Sequence, residues 1–507
     1  MRKFLSIITV ALLLSGRSAT ASIPATKAQE TIAGITAREP VRSSAFGILA
    51  VKVNGDTVAC FNQRQKLVPA SNMKLLSTGL ALRIFGPDYR FETSLGYTGE
   101  IVDSTLVGDL YIIGGGDPTT GSTADCALPY EKMFDEWVRI VRNAGISRIR
   151  GRIIGDPRFF GNADPVSLGW TYEDLGTYYG AGPKGLNFFE NKKNFYITPG
   201  STVGAAPNVT PRFPDTPWMK VGISATTGKA KTGNDLYFVN SELSPNGEIR
   251  GHFPVDRRGY TLECSNSFGA YTCAYYFYRH LNDSGIKSDG FGDISTLGKV
   301  RTDLSAYAEG EEAAAGCDLS VIGGTRSATL AEIVRETNKE SDNFYAETLF
   351  KLIGKHIMRS AVADSCQKAA ENALTSMGLK VKGNCQVFDG SGLSRKNYVN
   401  AAFFVAFLKT MTRSTAFGPY LESLPVAGQK GTLEHRFDKV DDGLKERIHA
   451  KTGSMNGVRC LSGYIEASDG SPENMIVFSV LVNNSIAGSL TVNKMIDDIL
   501  TALLEEN

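Results

Sequence analysis

The chain changes texture twice along its length, and that change restricts its architecture more than any other feature. "SAFGILAVKV" and "DTVACFN" alternate apolar and polar residues around Asn54-Gly55, a pair suited to a type I′ turn, so a β-hairpin is expected. "LVPASNMKLLSTGLALRIFG" follows, where Pro69 stops the incoming strand and Leu75, Leu76, Leu80 and Leu82 recur at helical spacing. From Phe91 to Gly298, strand-like runs dominate ("STLVGDLYIIGGGDP", "ISRIRGRIIGDPRFFG", "KKNFYITPG", "YTLECSNSF"), relieved by helices in "YEKMFDEWVRIVRNAG" and "GAYTCAYYFYRHLNDSG". After Gly298 the mixed pattern returns. Two helices are hinged near Ser341, others lie in "ADSCQKAAENALTSMG" and "NAAFFVAFLKTMTRS", and "RIHAKTGSMNGVRCLSGYIEA" pairs with "NMIVFSVLVNN" as antiparallel strands before a closing helix.

The expected architecture is therefore an α/β domain split into residues 22–90 and 299–507, interrupted at 91–298 by a mainly β excursion of one or two lobes. The length agrees, since 507 residues exceed what a single core comfortably organises. A formal net charge of +1 gives no electrostatic reason to expect nucleic acid or anionic lipid as a partner. No zinc-type Cys/His spacing, phosphate-binding loop or dinucleotide fingerprint is present, so no metal or other cofactor is expected.

"MRKFLSIITVALLLSG" joins a basic start to an apolar run from Phe4 to Leu14, followed by Ala19 and Ala21 at the spacing of a cleavage site. Residues 1–21 thus read as a secretory signal peptide, with an apolar run too short for a bilayer span. No other segment is long and apolar enough to cross a membrane, so an exported, periplasmic protein without an integral membrane segment is expected. All eight cysteines follow that leader. In an oxidising compartment they are expected to be structural and able to form disulfides, with Cys264 and Cys273 the easiest pair to propose.

Chemistry enters with three short elements. In Ser71-Asn-Met-Lys74, residues one turn apart at a helix start share a face, so the Lys74 amine can reach the Ser71 hydroxyl. A neutral lysine there can take the serine proton, which activates a nucleophile without histidine. Roughly two Ser-x-x-Lys matches are expected by chance in a chain this long, and an N-cap serine is the ordinary alternative. The second match, Ser284-Gly-Ile-Lys287, sits past a helix stop. Ser341-Asp-Asn343 occupies the connection between two helices, where a hydroxyl and a carboxamide can face a cleft. Lys-Thr-Gly occurs twice. Lys231 lies in a loop-like stretch, whereas Lys451-Thr452-Gly453 sits on an alternating strand, where Gly leaves the backbone approachable and Lys can meet a carboxylate.

In order, S-x-x-K, S-D-N and K-T-G form the constellation of penicillin-binding proteins and serine β-lactamases. With the large excursion after the first motif, "GDLYIIGGGDPT", "GRIIGD", the stretch from Trp170 to Ala181, "DGSGLSRKN" and "LPVAGQKGTLEHRF", the chain resembles the class C low-molecular-mass penicillin-binding proteins, the S13 D-Ala-D-Ala carboxypeptidase/endopeptidase family. The resemblance covers nearly the whole mature chain. It implies a transpeptidase-like domain carrying inserted lobes, peptidoglycan peptides as substrates and β-lactams as acylating inhibitors.

By that resemblance Ser71 is the nucleophile, Lys74 the base, Ser341 a proton relay and Asn343 a holder of the substrate amide. Lys451 and Thr452 would bind the terminal carboxylate. Gly453 keeps the strand open, and the backbone N–H groups of Ser71 and Ser454 would form the oxyanion hole. Asp174 and Arg395 match family positions that bind a diamino-acid side chain, with Tyr179 as an aromatic wall; a helix cap and a surface charge are the alternatives for the first two. Asn456 departs from a longer Gln found in some members. A β-lactamase and a non-catalytic wall-binding relative are the competing functions. The insertion and the absence of a marked deacylating base argue against the first, and the intact motifs against the second.

Overall fold

The computed structural model describes residues 24–161, 163–164, 166–241, 244–294 and 319–506. The leader assigned to 1–21 and Cys317 lie outside the described residues. The hairpin forms as expected: β1 (Ala45–Lys52) and β2 (Thr57–Phe61) pair antiparallel, with Gly55 at φ +119° in the turn. The C-terminal strands are β3 (Ile448–Met455), β4 (Val458–Ile465) and β5 (Ile476–Asn483). They join the hairpin in one antiparallel sheet of order β2-β1-β5-β4-β3. The segment containing Lys-Thr-Gly, expected as a single strand, is itself a hairpin that turns at Asn456-Gly457.

β1 runs against β5 from Ala45 opposite Asn483 to Lys52 opposite Ile476, so the two ends of the chain are stitched into one domain. Strand alternation then divides the core in two. Ile48, Ala50, Phe478 and Val480 pack with α1 (Lys27–Thr36) and α6 (Ser489–Glu505). Val477, Leu481 and Tyr464 face α2 (Met73–Phe85), α3 (Leu330–Lys339), α4 (Asn343–Met358) and α5 (Ala401–Met411). Helix α1 escapes the sequence reading because it is short and buries only Ala28, Ile32 and Ile35.

The insertion contains a seven-stranded sheet backed by the helices Tyr130–Asn143 and Gly269–Asp283, packed through Phe134, Trp137 and Phe277. A smaller β lobe is built on Phe195, Phe238, Ile249 and Phe253. Ser320–Arg326, placed by sequence in the second part of the split domain, instead pairs with Glu92–Tyr97 as an edge strand of the insertion's sheet. Trp137 Nε1 fastens it by donating to Thr325 Oγ1 at 3.0 Å. The expected disulfides are absent among the described residues: Cys60, Cys126, Cys264, Cys273, Cys366, Cys385 and Cys460 are all free thiols. Cys264 points into the core of the small lobe and Cys273 into that of the larger one, so the pair close in sequence is separated by packing.

Candidate active site

Pro69 leads into a single helical turn, Ala70–Asn72, that feeds α2. Ala70 sits at φ +47°, a left-handed conformation unusual for a side chain with Cβ. Its carbonyl is accepted at close range only because Gly392 has no side chain; a Cβ there would lie 1.9 Å from Ala70 O. This turn presents Ser71 at the cleft, and Lys74 follows one turn later with Nζ 3.1 Å from Ser71 Oγ. The amine is fully buried and also donates to Asn343 Oδ1 at 2.6 Å and Ser391 O at 3.0 Å. Burial lowers its pKa to about 8, against the pull of Asp342, Glu347 and Asp389.

Ser341 joins α3 to α4 at φ +61°, which turns its hydroxyl toward the sheet, and Lys451 Nζ donates to Ser341 Oγ at 2.8 Å. Asp342 caps α4 by accepting from Tyr345 N at 2.8 Å, leaving Asn343 as the first helical residue. Asn343 then serves two neighbours: Oδ1 meets Lys74, and Nδ2 donates to Tyr179 O at 3.0 Å. One carboxamide thus ties the insertion to Lys74. Lys451 is buried, and burial together with the repulsion of Lys74 holds its pKa well below the usual lysine value.

Ser71, Lys74, Ser341, Asn343 and Lys451 are therefore brought together, as expected. Thr452 and Ser454 follow on β3, half-buried and exposed respectively, with Gly453 buried between them. The peripheral residues are placed less simply. Asp174 is buried, and its Oδ2 accepts from Thr171 N at 3.1 Å and Thr171 Oγ1 at 2.6 Å, capping the short helix Tyr172–Leu175. Arg395 is exposed and donates to Asn456 O at 3.1 Å, against the β3–β4 turn. Tyr179 is half-buried, its ring edge-on to Tyr178. The duplicate motifs stay apart from all of this: Lys231 is exposed at φ +60°, and Lys287, the first residue of the strand Lys287–Asp293, donates through Nζ to Asn282 O at the end of the preceding helix.

Two carboxylates that the sequence reading did not single out brace the site. Glu347 lies one turn beyond Asn343 on the same helix face and accepts from Gly390 N at 3.1 Å and Ser391 N at 2.8 Å. It thereby fixes the loop whose Ser391 carbonyl receives Lys74. Burial and the neighbouring Asp389 raise its pKa to about 7. Asp389 accepts from Trp170 Nε1 at 2.9 Å, Gly392 N at 2.8 Å, Ser394 N at 2.6 Å and Asn397 Nδ2 at 2.7 Å. The helical spacing from Asn343 was the available signal for Glu347. Asn72 Nδ2 donates to Ser462 Oγ at 2.6 Å, linking the turn that carries Ser71 to β4. Among the described residues no group of three or more His, Cys, Asp or Glu could hold a metal ion.

The model of the D-Ala-D-Ala carboxypeptidase 3 (S13) family matches residues 28–503. The chain belongs to that family. It is a serine-type D-Ala-D-Ala carboxypeptidase, and its S13 relatives include the D-alanyl-D-alanine carboxypeptidase of Actinomadura sp. strain R39, 28% identical over 91% of this chain and 82% of the relative. The D-alanyl-D-alanine carboxypeptidase DacB of Haemophilus influenzae is 25% identical over 96% and 95%. The S13 fold is matched by the crystal structure of penicillin-binding protein 4 from H. influenzae, with a TM-score of 0.76 and 21% identity, over 94% of this chain and 98% of that one. A predatory peptidoglycan endopeptidase from Bdellovibrio bacteriovorus aligns with a TM-score of 0.51 and 15% identity over 92% and 94%.

Proposed function

We propose that Ser71 forms an acyl-enzyme with the penultimate D-Ala of peptidoglycan stem peptides, and with the corresponding D-Ala of cross-bridges. The observation that carries this reading is the pair of amine–hydroxyl contacts, Lys74 on Ser71 and Lys451 on Ser341, set against the glycine-opened strand β3. Neutral Lys74 takes the Ser71 proton as Oγ attacks the carbonyl carbon. The backbone N–H groups of Ser71 and Ser454 receive the negative charge that develops on the carbonyl oxygen. The C–N bond then breaks, and the leaving amine takes a proton relayed through Ser341. Water attacks the ester, Lys74 again acting as base, and frees Ser71 and the shortened stem.

Asn343 holds the substrate amide, while Lys451 and Thr452 bind the carboxylate of the leaving residue. Asp174, Arg395 and Tyr179 frame the donor side chain, with Arg395 held at the β3–β4 turn beside Asn456. A β-lactam places a strained amide and a carboxylate on the same groups, so it acylates Ser71. The leader at 1–21 exports the protein to the periplasm, where these substrates lie. No helix among the described residues is long and apolar enough to cross a membrane.

The test exposes the mature protein and Ser71→Ala to a reporter penicillin, a stem pentapeptide and a cross-linked muropeptide dimer, followed by mass spectrometry. Labelling and D-Ala release by the wild type that vanish in the variant are expected, and dimer cleavage measures the endopeptidase share. A wild type that neither labels nor cleaves refutes the mechanism.

A further inference from the structure

Strand β3 is the last in its sheet, and its outer edge is not free along its whole length. Ala427 N donates to Ile448 O at 3.1 Å, and Ala450 N donates to Pro425 O at 2.9 Å. The segment Pro425–Ala427 therefore covers the edge up to residue 450, immediately before Lys451. An extended substrate laid along β3 with its scissile carbonyl at Ser71 and Ser454 and its terminal carboxylate at Lys451 meets this cover. A longer or larger leaving residue has to turn aside.

The space into which it can turn is present. A cavity of about 600 Å³ has Arg335 and Lys339 of α3, Glu422, Glu446, Arg447, His449 and Glu466 as its charged and titratable lining. His449 lies two residues before Lys451 on the same face of β3, roughly 7 Å along the strand and on the side away from Gly453 and Ser454. Lys339 lies two residues before Ser341, the hydroxyl that receives Lys451. The cavity wall thus comes within two residues of both Lys451 and Ser341 along the chain, on the side toward which the leaving group points.

Its charges are unevenly engaged. Arg335 faces Glu422 at 3.6 Å, Arg447 Nε donates to Glu466 O at 2.7 Å, and His449 Nε2 lies 3.6 Å from Glu466. Lys339 has no ion pair among the described residues, and His449 Nδ1 is buried without a hydrogen-bond partner. Burial of an orphaned ring nitrogen is uncommon without a ligand or water to meet it.

Building on the acyl-enzyme reading, we infer that this cavity is a leaving-group subsite that takes a carboxylate-bearing side chain on the departing D-residue, with Lys339 as its cation and His449 as a hydrogen-bonding partner. A terminal D-Ala, whose side chain is a methyl group, does not reach it. The subsite separates substrates by what leaves rather than by what acylates.

Four stem peptides identical up to the penultimate D-Ala and ending in D-Ala, D-Glu, D-Gln or D-Lys test it. D-Glu and D-Gln differ in charge and hardly in shape. The wild type is expected to favour D-Glu over D-Gln in kcat/KM by about tenfold, the size of one charge-assisted contact. Lys339→Gln is expected to abolish that preference while D-Ala release and penicillin acylation change less than about twofold. A wild type with no preference, a preference for a D-Lys-ending peptide, or a preference that survives in Lys339→Gln would overturn the inference. Loss of penicillin labelling in the wild type would instead strike the acyl-enzyme reading beneath it.

Discussion

Gly453 passes so close to Pro69 that a methyl group on its Cα would lie 2.6 Å from the Pro69 carbonyl oxygen, and 3.2 Å from Asn72 N. The third motif is therefore wedged against the turn that carries the nucleophile, and its glycine is required by backbone proximity as well as by substrate access. Gly453→Ala is expected to shift β3 or the Ser71 turn. Misplacing reacting groups by about 1 Å costs on the order of 100-fold in rate. Stopped-flow acylation by a reporter penicillin should fall by that order while the protein stays folded by circular dichroism.

The lowered pKa of Lys74, about 8, sets a pH dependence. The base is the neutral amine, so acylation should rise as pH increases through about 8 and level off above it. Penicillin acylation followed between pH 6 and pH 10 reads this directly. A flat profile across that window would remove Lys74 as the base.

Lys451 is held well below the ordinary lysine value by burial and by Lys74. A carboxylate arriving beside it favours the charged amine, so any proton exchange on binding should be uptake, growing as pH rises. Calorimetry of pentapeptide binding to Ser71→Ala, in buffers of different ionisation enthalpy and from neutral to alkaline pH, should report that trend. Net release would contradict carboxylate binding at Lys451.

Glu347 acts through the loop that carries the Ser391 carbonyl. Glu347→Gln keeps an oxygen to accept from Gly390 N and Ser391 N but removes a charge that burial already disfavours, so the melting temperature should hold. The rise of acylation with pH should move to lower pH, because a nearby negative charge that supports protonated Lys74 is gone. A stability loss with an unmoved profile would reduce Glu347 to a structural brace.

Asp174 is both a helix cap and the proposed contact for a diamino-acid side chain. Asp174→Asn keeps an acceptor for Thr171 but removes the charge. The melting temperature should hold, and kcat/KM for a diaminopimelate-containing stem should fall by roughly tenfold relative to a stem with a neutral residue at that position. An unchanged ratio would leave Asp174 as a cap alone.

The grouping of Ser71, Ser341 and Lys451 was legible in the sequence because each sits on a local pattern: a helix start at Ser71, an inter-helix connection at Ser341 and an alternating strand at Lys451. The duplicates were separable for the same reason, since Lys231 and Lys287 lack those settings. What was not legible depends on long-range pairing. The assignment of Ser320–Arg326 follows from its partner Glu92–Tyr97, more than 200 residues earlier, and nothing in its own composition declares it. Cys264 and Cys273, nine residues apart, stay unpaired because they face different cores. Glu347 and Asp389 look like ordinary charges until burial and backbone donors give them a task.

The antiparallel seam of β1 with β5 has a consequence for the life of the molecule. Ser71 emerges early in synthesis, but the strand bearing Lys451 gains its place in the sheet only through β4 and β5, near the end of the chain. A nascent or truncated chain carries the nucleophile without the cation opposite it. On the acyl-enzyme reading, such a chain should not cut until β4 and β5 have brought Lys451 into the sheet.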